Sequence, residues 1–151
     1  MAEALGLDAR DRQHAEFTAL LHDIGKIRIP AAIIDKPGAL DADERALIET
    51  HTLEGERMLV QIGGLLGEVG HHVRSCHEHY DGSGYPDGLA GDKIPLVARI
   101  VCCCDAFSAM TTDRPYRAGR PAADTVAELW RCAGTQFDPR VVEALAGLVQ
   151  R

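Results

Sequence analysis

No stretch of this chain stays apolar for the roughly 18 residues that a bilayer-spanning helix needs. The opening residues, Met1 to Leu7, carry neither the basic flank nor the apolar run of a secretory signal. A cytoplasmic protein with no membrane partner is therefore expected. Positive charge is also short, with 16 Lys and Arg against 23 Asp and Glu and a formal charge of −7. That balance argues against binding a DNA or RNA polymer, which takes a net basic face. It leaves room for a small anionic ligand, because bound cations and a few well-placed basic side chains make a positive pocket in an acidic protein. Nor is there a disulfide framework. The five cysteines are odd in number, and three are consecutive, Cys102, Cys103 and Cys104, so reduced thiols are the simpler reading.

What is present suits one domain. At 151 residues and 46% hydrophobic content the chain buries a proper core. Strand signals are few, and no repeat, linker or low-complexity tract interrupts the pattern. Helices joined by Gly/Pro loops are predicted, giving an all-α, single compact helical bundle.

The spacing of Ala15, Phe17, Leu20, Leu21 and Ile24 predicts a first helix over residues 9–23, stopped by Gly25. Asp41 and Glu44 form a capping-box pattern for a helix running through His51 to about Leu59, ended by Gly63 and Gly64. Further helices are expected over residues 65–77, from Pro95 through Cys104, Asp105 and Met110, over residues 122–132, and over 139–150 with Asp138 as cap. The segments 81–92 and 113–121 read as loops.

The residues able to do chemistry stand at few places. His22 and Asp23 are adjacent, and neighbours on a regular helix point about 100° apart. At a helix end the geometry relaxes, so an imidazole and a carboxylate can converge; such a pair is also often structural. His51 lies within a helix, and His77 follows Cys76 ahead of a polar, Gly-rich run. Asp105 sits among Ile100, Val101, Ala106 and Phe107, where an unpaired buried carboxylate is costly. A metal, an Arg partner or a protonated acid would each account for it. His with Asp suits iron, manganese or zinc better than calcium or magnesium. If His22, Asp23, His51, His77 and Asp105 held two divalent ions, the two carboxylates would leave the site positive for a phosphodiester. Such ions polarise phosphate and make hydroxide available near neutral pH.

The order of segments then resembles a known family. His22-Asp23-Ile24-Gly25-Lys26-Ile27 is similar to an HD signature, and Asp81-Gly82-Ser83-Gly84-Tyr85-Pro86 to the loop that completes the HD-GYP name. Ala98 to Val101, Asp105 to Phe107, Thr112 to Arg117 and Gly134 to Pro139 follow in the family's order. From about residue 4 onward the chain resembles an HD-GYP domain. The resemblance implies a helical bundle with two or three divalent ions, commonly iron or manganese, that hydrolyses cyclic di-GMP or a related cyclic dinucleotide to linear pGpG or GMP. It implies His22, Asp23, His51, His77 and Asp105 as metal ligands, with Asp23 bridging. Lys26 would contact the scissile phosphate. Gly84 and Tyr85 would line the nucleotide pocket, and Arg114 and Arg117 would meet phosphate or guanine as planar donors.

Two departures from the family's pattern accompany this. The family carries one more metal-binding His on a helix ahead of Leu5-Gly6-Leu7, so residues 1–151 are expected to form the domain without the start of that helix. Cys76 stands where a His is usual, and a thiolate there would make a softer, more oxidisable site. The departures give a second reading, a module that binds nucleotide or a signalling-protein partner without turnover; a homodimer is a further expectation. Of the other candidates, His14 is too far along the helix to reach the same ion, and His71 and His72 are expected on a solvated face. His79 is expected in solvent, Cys102 to Cys104 in small apolar packing positions, and Trp130 in the core.

Overall fold

Asp8 starts the first helix, its Oδ1 accepting from the Asp11 backbone N–H at 2.8 Å. In the computed structural model, which describes residues 1–113 and 118–150, this helix, α1 (Ala9–Leu21), buries His14, Ala15 and Thr18. It packs between α5 (Gly64–Arg74) and α6 (Leu96–Thr111). α1 ends earlier than its periodicity suggested. A 3₁₀ turn, Ile24–Arg28, follows, and Gly25 lies inside that turn rather than capping α1. A short α2 (Ala31–Ile34) leads to α3 (Ala42–Glu49), which opens with the expected capping box between Asp41 and Glu44, both contacts at 2.9 Å.

The helix expected through His51 is two helices. At Thr50 the hydroxyl donates to the Leu47 carbonyl at 2.6 Å, competing for a carbonyl the helix would use. α4 (His51–Ile62) therefore begins afresh, with His51 as its first residue. Gly63, at φ +78°, closes α4, and α5 folds back along it around Leu59, Val69 and Val73. α5 stops at Arg74, so Cys76 and His77 stand in a turn beyond it, not on the helix as the pattern had indicated.

Pro95 precedes α6, whose Val97, Ala98, Ile100, Val101 and Cys103 are buried. α7 (Ala122–Arg131) and α8 (Pro139–Val149) close the larger core, in which Ile100 and Cys103 meet Val126, Leu129, Phe137, Val141, Val142 and Leu145. Trp130 is not part of it. Val126 and Leu129 take the inward face of α7, so the next residue turns about 100° away and Trp130 stays 45% exposed. Asp138 caps α8 as expected, and its other oxygen accepts from buried Arg99 at 2.7 Å. Asp92 binds the same guanidinium nitrogen at 2.8 Å, tying the start of α6 to the start of α8. All five cysteines are free. The described residues form no strand, and none of their helices is long and apolar enough to cross a membrane.

Candidate metal centre

His22 follows the last residue of α1, and its Nδ1 lies 2.8 Å from the Ala19 carbonyl. His51 makes the same contact to the Ile48 carbonyl at 2.7 Å. A carbonyl only accepts, so in both rings Nδ1 carries the proton and Nε2 presents a lone pair. His22 Nε2 then lies 3.7 Å from Asp23 Oδ2 and 3.7 Å from Asp105 Oδ1, while His51 Nε2 lies 3.7 Å from Asp23 Oδ1. Donor atoms of Asp23, His51 and His77 all fall within 4.8 Å of one another.

Asp23 Oδ1, His51 Nε2 and His77 Nε2 are buried without a hydrogen-bond partner. Leaving such atoms unmet costs free energy, and one carboxylate oxygen with two imidazole lone pairs is a donor set that suits a first-row divalent ion. The residues present therefore fit a metal. Asp23's other oxygen accepts from Lys26 Nζ at 2.7 Å. Burial pushes the Asp23 carboxyl up, but the Lys26 hydrogen bond and the nearby His22 outweigh it and hold the group below its ordinary value. Burial depresses His51, and depresses His77 to about 4, helped there by His51 and His22. Both imidazoles are thus neutral at pH 7, as metal ligation requires.

Gly25 explains how Asp23 reaches His51. A Cβ there would stand 1.9 Å from the His51 carbonyl oxygen and 2.6 Å from the Gly55 nitrogen, so only glycine lets the 3₁₀ turn lie against α4. Gly84 does the same for the loop. A Cβ on it would meet the His79 nitrogen at 2.2 Å and the His77 carbonyl oxygen at 2.5 Å. The close return lets the Tyr85 N–H donate to the His77 carbonyl at 3.1 Å and stacks the Tyr85 ring on the His77 ring, centroids 5.2 Å apart and 12° from parallel.

Glu78 holds this loop, a role that sequence reasoning missed. Its carboxylate is 2% exposed and accepts from the Asp87 and Leu89 N–H groups at 2.7 and 3.0 Å. Arg74 clamps Asp87 with two 2.7 Å bonds and reaches Glu56 at 2.7 Å. Glu78→Ala leaves two N–H groups without their acceptor and is expected to cost about 2 kcal/mol or more. It also frees the loop from His77. Urea unfolding checks the first, and tyrosine fluorescence near the site the second; a wild-type midpoint would contradict the first and an unchanged spectrum the second.

Asp105 differs from expectation. Its side chain is 46% exposed, although Val101, one helical turn earlier on the same face of α6, is buried. It lines a hollow of about 260 Å³ with Ala19, His22, Val101, Cys104 and Ser108. A smaller recess, bordered by His22, Cys76, His77, Cys102, Asp105 and Gln136, adjoins the ligand cluster. Cys76 is buried there; its thiol donates to the His72 carbonyl at 3.3 Å, and burial pushes it well above its ordinary pKa. Arg114 and Arg117 lie outside the described residues.

The remaining histidines divide. His71 is exposed and pairs with Glu56 at 2.9 Å, and His79 meets the Ser83 hydroxyl at 3.0 Å. His72 is not solvated as expected. It packs on buried His14, ring centroids 5.4 Å apart, because α5 presents it to α1, and burial lowers its pKa. His51, His72 and His77 are all depressed in the folded chain, so between pH 6.5 and about 4 the unfolded chain binds more protons. Stability of the metal-free protein is therefore full above pH 6.5 and falls as pH drops toward 4. His77 alone contributes at most about 3 kcal/mol of that fall. Thermal melts in chelator at pH 7.5 and 5 test this; equal midpoints would refute it.

Comparison with known proteins gives consistent matches. A family model described as HD domain matches residues 1–141. The chain is 42% identical over 152 residues to the cyclic di-GMP phosphodiesterase response regulator RpfG of Xanthomonas campestris, a match covering 96% of this chain and 39% of that protein. It is 38% identical over 149 residues to a cyclic di-GMP phosphodiesterase of Thermotoga maritima, covering 98% of this chain and 40% of that one. The crystal structure of a cyclic GMP-AMP-specific phosphodiesterase of Vibrio cholerae shares the fold with a TM-score of 0.73 at 22% identity, over 97% of this chain and 40% of that chain. The chain thus spans about two fifths of the length of these relatives.

Proposed function

The chain belongs to the HD domain family, and from that premise we propose that it is a metal-dependent phosphodiesterase hydrolysing cyclic di-GMP to linear pGpG or GMP. The observation that carries the reading is the trio of buried, unpartnered donors, Asp23 Oδ1, His51 Nε2 and His77 Nε2, within reach of one another. The names of the relatives, which act on cyclic di-GMP or on cyclic GMP-AMP, support the substrate class.

In this proposal His22, Asp23, His51, His77 and Asp105 hold two or three divalent ions, iron or manganese. Such ions supply Lewis-acid polarisation of a phosphate oxygen and a lowered pKa for water. The protein's share is orientation. Carbonyl partners fix the His22 and His51 tautomers, and Lys26 holds one Asp23 oxygen while offering its positive charge to the phosphate. Tyr85 covers one face of His77 and limits water there. Cys76 borders the same recess and would join as a thiolate by giving up its hydrogen bond to the His72 carbonyl. Arg114 and Arg117 are proposed to meet the phosphate or guanine, and Gly84 to set Tyr85 against the nucleotide. Reduced thiols suit the cytoplasm, where the proposal places the protein.

The test is hydrolysis of cyclic di-GMP by anaerobically purified protein with Fe(II) or Mn(II), products separated by chromatography. Product that disappears on chelation is expected. A folded, metal-loaded protein that binds cyclic di-GMP and makes no product would favour the non-catalytic reading instead.

A further inference from the structure

Beside Tyr85 lies an open hollow of about 190 Å³ between the end of α3, the start of α4 and the Tyr85–Pro86 corner. Ala46, Leu53 and Pro86 give it apolar walls, Tyr85 an aromatic one, and Glu49 and Thr50 its polar rim. The Thr50 hydroxyl is already committed to the Leu47 carbonyl. The Glu49 carboxylate is not: half-buried, it makes no hydrogen bond or ion pair among the described residues. The hollow adjoins the ligand cluster, since the Tyr85 ring lies 5.2 Å from His77 and 6.4 Å from His51, centroid to centroid. A phosphate at the cluster would thus have its nucleoside within reach of this hollow.

An apolar hollow rimmed by a carboxylate that no described residue pairs with selects a ring by its donors. A carboxylate only accepts, through two oxygens side by side. Guanine presents two adjacent donors, N1–H and the N2 amino group, and fits it with two charge-assisted hydrogen bonds. Adenine turns an acceptor nitrogen toward the same place, which leaves the carboxylate poorly met and repelled. Discrimination by polar groups of this kind is far stronger than discrimination by apolar shape.

We infer that this hollow is a guanine subsite, with Glu49 the residue that selects guanine over adenine and Leu53, Pro86 and Tyr85 holding the ring. The inference rests on the cyclic dinucleotide reading of the adjacent cluster. It adds to that reading a residue, Glu49, to which neither the metal chemistry nor the loop motif points.

The test is calorimetric titration of the Mn(II)-loaded protein with cyclic di-GMP and with cyclic di-AMP, for wild type, Glu49→Gln and Leu53→Trp. Wild type is expected to bind cyclic di-GMP at least about tenfold more tightly than cyclic di-AMP. Glu49→Gln keeps the shape but replaces one acceptor with a donor, and should weaken cyclic di-GMP about tenfold or more, closing the gap between the two ligands. Leu53→Trp fills the hollow and should weaken both. Wild type that binds the two equally, or binds neither, overturns the inference, as does either variant with wild-type affinities. Product formation is followed separately. Binding through Glu49 without hydrolysis keeps the subsite and removes the phosphodiesterase; hydrolysis with unchanged Glu49→Gln binding does the reverse.

Discussion

Asp23→Ala is expected to abolish Mn(II) binding, and with it the proposed turnover of cyclic di-GMP, while leaving the metal-free fold within about 1 kcal/mol of wild type. The first half follows from position. Asp23 Oδ1 is one of the three unpartnered buried donors and stands 3.7 Å from His51 Nε2, while its second oxygen anchors Lys26. Without it, two neutral imidazoles remain at the core of the cluster, and the carboxylate left nearby, Asp105, is the half-exposed one beside His22. The second half follows from exposure. Asp23 and Lys26 are each roughly two-fifths exposed, so their pair is screened and its loss costs little. Electron paramagnetic resonance titration of Mn(II), beside a thermal melt in chelator, separates the two. Wild-type metal affinity in the variant would remove Asp23 from the centre.

Gly25→Ala has the largest expected effect on stability. Its Cβ would lie 1.9 Å from the His51 carbonyl oxygen, and both atoms it meets most closely are backbone of α4, which cannot rotate away. The 3₁₀ turn must move off α4, at a cost of about 3 kcal/mol or more. That lowers the melting temperature on the order of 10 °C. The move also carries Asp23 away from His51, so metal affinity falls with stability. Gly147→Ala is the matched control. Gly147 lies inside α8, a Cβ there would meet nothing within 4 Å, and alanine in a helix gains about 0.5–1 kcal/mol. Denaturant midpoints decide; a Gly25→Ala midpoint equal to wild type would mean that the turn and α4 are not held this closely.

The parts of the fold that sequence reveals are the local ones. The Asp41–Glu44 box and the Asp138 cap work over two or three residues, and the chain carries their whole signal. Breaks that depend on one side chain are harder. Thr50 is an ordinary helical residue until its hydroxyl takes the Leu47 carbonyl, which is why α3 and α4 read as one helix. Asp105 sits among apolar neighbours in sequence, yet which side of α6 faces solvent is decided by α1, α7 and α8 packing around it.

The site was legible as a set of residue types in a family order and illegible as an arrangement. His22, Asp23, His51 and His77 do converge, but what brings them together is Gly25 and Gly84, whose reason is a close approach to backbone far along the chain. Glu78 could not be separated from its polar neighbours, since its partners lie 9 and 11 residues away and are backbone N–H groups. The Arg99–Asp138 pair spans 39 residues, and no local pattern announces it.

The unmet atoms of Asp23, His51 and His77 are proposed to be a divalent-metal site. Calorimetric titration of metal-free wild-type protein with Mn(II) at pH 7 tests it most directly. The prediction is saturable binding, reversed by chelator and lost near pH 3.5, where His77, depressed to about 4 by burial, takes up its proton. A folded protein that binds no Mn(II) or Fe(II) at pH 7 would mean that these three residues are not a metal site.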